Sequence, residues 1–295
     1  WELKDEERLI VALSVFGGYT GEEIAGILEK ERKTNPKVHY ISDMTKANDF
    51  AEAVRIFNGR SIMAYGIEEI HEITAASNSL VIGLETLDNG KILAMERALR
   101  IAKKRKVPVL LDLTEVNISL YRKNTALSFL NRYTIDLVKG TVEEVQALIR
   151  SQKKNRCKKK NIKDEYRDFA IKNKTFLIVE AEEYYITDGY SEFYIENNSM
   201  DLNKKIGLGY IFTALLAIAI GGVDNRKEEM VAILIAVMIF SIGCSLEGNK
   251  INECYKDGFF KLKELFLDEI KNIDEERIYA LGKIIYNFKS KRVNR

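Results

Sequence analysis

The chain has 295 residues, 46% of them apolar and 31% charged, with a formal net charge of +2. That is enough apolar material for a full core and too much for a disordered chain, while the near-neutral balance argues against a nucleic-acid partner. Three cysteines (Cys157, Cys244, Cys254), odd in number and without metal-type spacing, suit a reducing cytoplasm better than a disulfide framework, and two histidines (His39, His71) are too few for a histidine-rich metal site.

Residues 1–8 are acidic, unlike a secretory leader, and the chain opens on Trp1, as expected of a sequence that starts inside a longer one. Residues 1–20 stand apart as an amino-terminal extension, with an apolar stretch at 9–18 that suits an extra helix, an extra strand or a contact surface. From 21 to 295 the pattern is that of one domain. Thr20-Gly21-Glu22-Glu23 has capping-box spacing and starts a helix to about 33, which Pro36 ends. A strand at 38–41 precedes a helix over 46–58, with Ala47, Phe50, Ala51 and Val54 on one face and Gly59 as its stop. A short strand at 61–64, a helix at 67–76 and a strand at 80–84 follow. Asp88 caps a helix to about 104, and 107–112, apolar on both faces, reads as a central strand. Residues 119–131 are helical and 135–138 extended, and Thr141-Val142-Glu143-Glu144 opens a helix to 150 with a second capping box. The Lys- and Arg-rich stretch 151–163 reads as an exposed loop, a solvated linker rather than a nucleic-acid contact. A helix at 164–171 and a strand at 175–179 lead into a hairpin, 184–187 and 192–195, turned at Asp188-Gly189. From Gly207 the pattern is helical to the end.

Strands alternating with helices imply a three-layer αβα fold around a mostly parallel central sheet. Two apolar runs, 206–223 and 230–246, approach the length that crosses a bilayer. Glycines in the first and the short, mixed-charge joint at 224–229 favour two helices buried on the sheet over a membrane hairpin.

Chemistry is expected at one rim of that sheet. Gly207-Leu208-Gly209 runs into a long apolar helix whose first amides have no internal partner and sit at the positive end of its dipole, which makes an anion site suited to phosphate. Ligands of open parallel sheets collect at the carboxyl ends of the strands, where Asp112 falls and where Lys139 ends the next strand. Asp112 and Glu144 together could hold Mg²⁺ against phosphate oxygens. Glu144, as the last residue of a capping box, is equally explained as a cap.

Several stretches resemble hydroxyethylthiazole kinases, from about 22 to 248. Val38-His39-Tyr40-Ile41-Ser42-Asp43 is similar to the family's Val-His-x-Ile-Thr-Asn. Ala47-Asn48-Asp49-Phe50-Ala51 and Ser61-Ile62-Met63-Ala64 are similar to Ala-Asn-x-x-Ala and Pro-x-Met-Ala. Leu111-Asp112-Leu113-Thr114-Glu115, followed by Tyr121-Arg122, stands where the family has Leu-Asp-Pro-Val-Gly. Lys139-Gly140-Thr141-Val142-Glu143-Glu144-Val145 stands for Arg-Gly-Asn-x-x-Glu-Ile, and Tyr185-Ile186-Thr187-Asp188-Gly189 also matches.

The resemblance implies a ribokinase-like fold, phosphorylation of a thiazole alcohol in thiamine salvage with ATP and Mg²⁺, and a homotrimer with sites between subunits. It implies Gly207, Gly209 and Tyr210 at the reacting centre, Lys139 and Glu180 with the same glycines around ATP, Asp112 and Glu144 at the metal, and Met63 and Asp43 on the substrate side. The departures fall in the site itself. Tyr210 replaces a cysteine implicated in catalysis, Glu180 replaces a threonine facing the phosphates, and Lys139 replaces an arginine, keeping charge but losing the fork. A phenol is a poor base near neutrality and a carboxylate repels triphosphate. Two expectations follow: an active small-alcohol kinase, or a non-catalytic relative that binds a ligand or serves an assembly.

Overall fold

Short apolar runs buried from both sides form the parallel part of the sheet. In a computed structural model that describes residues 21–152, 161–197, 207–254, 259–282 and 284–288, β3 (Ser79–Gly83) and β4 (Val109–Asp112) are buried at every residue, as strands covered by helices on both faces must be. With β1 (Lys37–Ile41), β2 (Arg60–Met63), β5 (Leu137–Thr141) and β6 (Phe176–Glu180) they give a parallel array in the order β2-β1-β3-β4-β5-β6. The hairpin β7 (Glu183–Thr187) and β8 (Ser191–Glu196) extends it antiparallel. Gly189 at the turn has φ +94°, open to glycine without strain.

The alternation of side chains along each strand sorts the helices into two layers. Tyr40, Val81, Leu110 and Ile178 face one layer. It contains α1 (Gly21–Thr34), α2 (Ala47–Ile56), α8 (Gly209–Gly221), α9 (Arg226–Cys254), α10 (Phe259–Lys271) and α11 (Glu275–Leu281). Leu80, Leu111, Val138 and Leu177 face the other. It contains α3 (Ile70–Ala75), α4 (Asn89–Arg105), α5 (Leu120–Arg132), α6 (Val142–Gln152) and α7 (Ile162–Asn173). The three-layer αβα reading therefore holds.

The two apolar runs are the centre of the first layer. Ser79 Oγ donates to the Ala217 carbonyl at 2.7 Å, fastening α8 to β3. Phe240 of α9 stacks on Phe212 of α8, ring centroids 4.6 Å apart, and meets Phe266 of α10 edge-on at 5.6 Å. The stretch Arg226–Leu246 is long and apolar enough to cross a membrane, yet 83% of its most apolar window is buried inside the protein. Its composition is that of a helix enclosed by its own fold.

One expectation is corrected. The chain is not helical from Gly207 to its end: Ile284–Phe288 forms β9, antiparallel to β8, and completes a nine-stranded sheet. Five residues reading Ile-Ile-Tyr-Asn-Phe are too few to show a period, and their β-branched and aromatic character finds pairing at the open edge of β8. Also, α7 begins at Ile162, two residues early, because Asn161 Oδ1 caps Lys163 N at 3.2 Å. The extension 1–20, including Thr20 and the stretch 9–18, lies outside the described residues, as do 153–160 of the basic loop with Cys157.

Candidate functional site

β2 and β3 flank β1 on opposite sides, so the chain reverses its progress across the sheet there and opens a crevice at the carboxyl ends of the strands. Ser42 follows β1, Glu85 follows β3, Asp112 ends β4, Lys139 lies within β5 and Glu180 ends β6.

Asp112 is the best-anchored of these, 5% exposed. Its Oδ1 accepts from Thr114 N at 3.2 Å and Thr114 Oγ1 at 2.7 Å, and its Oδ2 accepts from Thr213 Oγ1 at 2.6 Å. Lys139 Nζ lies 3.2 Å from Asp112 Oδ2 and 3.1 Å from Glu180 Oε1. Burial alone would raise the Asp112 pKa, but the Lys139 ammonium and the hydroxyl donors outweigh it and hold the carboxyl below its ordinary range. Burial would likewise discharge Lys139; Asp112 first, then Glu180, push its pKa up instead.

The glycine loop meets Asp112. Gly207 has φ +67°, and a Cβ placed there would have no neighbour within 4 Å, so the backbone faces open space. Leu208 precedes α8 without a side-chain cap, which leaves the helix's first amides to a guest. The Thr213 hydroxyl lies between the Gly209 carbonyl, at 2.9 Å, and Asp112 Oδ2. Asp112, with Lys139 beside it, is thus joined through Thr213 to the first turn of α8 at Gly209.

Glu144 is committed elsewhere. Its Oε2 accepts from Thr141 N at 2.8 Å while Thr141 Oγ1 accepts from Glu144 N at 3.4 Å, a complete capping box, and its Oε1 accepts from Glu115 N at 2.6 Å. Burial raises its pKa against those two amides. Among the described residues, no group of three or more His, Cys, Asp or Glu side chains is gathered around a common point.

On the substrate side, Asp43 caps a 3₁₀ turn over Met44–Lys46, taking Thr45 N at 3.1 Å and Thr45 Oγ1 at 2.5 Å. Met63, half-buried at the end of β2, packs against the core of the α8 layer.

Glu85, which sequence reasoning did not single out, completes the rim with Ser42 and Arg122. Glu85, 6% exposed, accepts from Ser42 Oγ at 2.6 Å, and the Tyr210 hydroxyl lies beside it. A Cβ at Gly83 would fall 1.8 Å from Ser42 Oγ, so only glycine admits this clasp between β1 and β3. Arg122 bonds the Glu85 carbonyl and the Glu115 carboxylate. Burial, then the Asp112 charge, raises the Glu85 pKa, and burial with the nearby Glu85 charge raises that of Tyr210. The signal for Glu85 was the one used for Asp112: a carboxylate just past a fully apolar strand.

This fold is similar to that of a ribokinase-like superfamily protein from Enterococcus faecalis, which matches 81% of this chain and 88% of its own with a TM-score of 0.54 at 13% identity. The structure of hydroxyethylthiazole kinase protein from Pyrococcus horikoshii matches 90% of this chain and 99% of its own with a TM-score of 0.76 at 23% identity. The model of the hydroxyethylthiazole kinase family matches residues 28–276, and the chain belongs to that family. Hydroxyethylthiazole kinases of Clostridium perfringens and Methanococcus maripaludis are 26% and 27% identical to it, each over 267 residues, 88% of this chain and 100% and 97% of the relatives.

Proposed function

We propose that the protein is an ATP-dependent kinase of a small thiazole alcohol, in which Lys139, paired with Glu180, lies at the rim that receives the triphosphate. The observation that carries the reading is the meeting of an uncapped glycine loop, a buried lysine and a buried aspartate through Thr213. Phosphoryl transfer needs mainly positioning and charge neutralisation, and these groups supply both. Triphosphate lies on the Gly207–Gly209 amides and takes Lys139 from Glu180. The alcohol is held between Met63 and Asp43 on one side and Tyr210 on the other.

Mg²⁺ at such a site is held largely by phosphate oxygens and water, with one or two carboxylates. Asp112 fits that need, because three of its partners are side chains (Thr114, Thr213 and Lys139) that can turn away for a metal, whereas Glu144 serves two backbone amides that cannot. The metal would neutralise charge on the phosphates; Asp112 orients it and Lys139 balances what remains.

Purified protein given ATP, Mg²⁺ and hydroxyethylthiazole releases ADP at a rate that Asp112→Ala abolishes. No ADP above blank overturns the reading. A second reading, a non-catalytic ligand-binding or assembly protein, is favoured by the Lys139–Glu180 pair, and its mark is thiazole binding without turnover. We further infer a cytoplasmic homotrimer without membrane or nucleic-acid partner. Resemblance supports the trimer, burial of the apolar helices supports the aqueous setting, and sedimentation of detergent-free protein tests both.

A further inference from the structure

Tyr210 occupies the position expected to activate the alcohol, and its phenol holds its proton at neutral pH because burial and a neighbouring carboxylate oppose ionisation. That carboxylate is Glu85. It is 6% exposed and fixed by Ser42 Oγ at 2.6 Å, its backbone carbonyl is gripped by Arg122, and the Tyr210 hydroxyl lies beside it. It follows β3, which pairs with β1 at the point where the sheet changes direction.

We propose that Glu85 is the proton acceptor for the substrate alcohol, with Tyr210 orienting the hydroxyl beside it. The proposal rests on the kinase reading above. The alcohol O–H breaks as its proton passes to a Glu85 oxygen. The alcohol oxygen bonds to the γ-phosphorus of ATP as the bond to the β,γ-bridging oxygen breaks; ADP leaves, and Glu85 returns the proton to solvent. The geometry needed is a carboxylate within hydrogen-bond reach of the reacting hydroxyl, and the Tyr210 hydroxyl marks where such a group sits. Groups on all sides set its charge. Asp112 of β4, Tyr210 of α8 and Tyr40 of β1 lie around it, while Ser42 and Lys139 favour the ionised form. The balance leaves Glu85 above the usual carboxylate range and nearer the working pH, where a general base is most effective.

The test is steady-state ADP release with ATP, Mg²⁺ and hydroxyethylthiazole. Glu85→Gln lowers kcat by about 10²- to 10⁴-fold while the ATP-induced rise in melting temperature is kept, and the acid limb of the wild-type kcat/KM profile disappears. Ser42→Ala removes a hydrogen bond to the carboxylate without touching its charge, so it moves the acid limb to higher pH, a readout that survives if Glu85→Gln folds poorly. Wild-type turnover with an unaffected Glu85→Gln, or an acid limb that Ser42→Ala leaves in place, removes the proposal alone. Absence of wild-type turnover removes the kinase reading and the proposal together.

Discussion

Lys139 and Glu180 are paired across neighbouring strands, Nζ to Oε1 at 3.1 Å, so the amine best placed to receive phosphate is already answered by a carboxylate. Both are shielded, with side chains 4% and 13% exposed, and the attraction between them is correspondingly undiluted by water. A triphosphate must displace Glu180 or arrive with a cation to lie beside it.

Glu180→Gln therefore tightens ATP binding. Removing the competing charge while keeping the shape is expected to lower Kd about tenfold, some 1.4 kcal/mol, measured by calorimetry with and without Mg²⁺. An unchanged Kd in both conditions means that nucleotide does not use Lys139.

Lys139→Met leaves Asp112 buried with hydroxyl partners but no countercharge, and is expected to cost about 3–5 kcal/mol in urea unfolding. Pairing it with Asp112→Asn recovers most of the loss. The pH dependence has a definite sign. Asp112 is held below its ordinary 3.8, so it contributes stability above that value which is lost as pH falls through the lower folded one. Lys139 is held above 10.5, so its contribution is full below 10.5 and goes as pH rises through the higher folded value. Wild type should lose both contributions at those extremes, and the Lys139→Met, Asp112→Asn double variant should lose neither.

Glu144 separates a cap from a metal ligand. Glu144→Ala empties the capping box and the bond to Glu115 N, at a cost of about 1–2 kcal/mol. Glu144→Gln still offers one oxygen to the helix but turns an NH2 toward the other amide, so it should recover only part of that loss. If the Mg²⁺ dependence of ADP release is unchanged in Glu144→Gln, the residue is a cap alone; a large rise in the Mg²⁺ requirement would restore it as a ligand.

Phe240→Ala, in the middle of the three-ring stack of α8, α9 and α10, is expected to destabilise the protein by about 3–5 kcal/mol in detergent-free buffer. A lipid-facing Phe240 would instead tolerate the change, and the protein would need detergent to be purified at all.

Much of this architecture was legible because local rules and global packing agree. The Thr141–Glu144 capping box, the Asp88 cap and the Asp188-Gly189 turn each form as their residues suggest. Asp112, Lys139 and the glycine loop could be expected at one rim because the sheet's connectivity brings strand ends together. The Glu85–Tyr210 contact was not legible, since it joins residues 125 positions apart whose meeting depends on how α8 lies on β3. β9 was missed for a different reason: pairing to an edge supplies what a five-residue stretch cannot declare by period.

That ninth strand has a consequence for how the molecule comes apart. β8 and β9 are hydrogen-bonded neighbours, yet α8, α9, α10 and α11 all lie between them in the chain. These four helices of the layer therefore form a closed loop stapled at both feet to one sheet. It cannot peel away as a unit while the staple holds, so amide exchange in α8 and α9 should wait on the β8–β9 ladder, and melting of that outermost seam should release the protein's interior in one step.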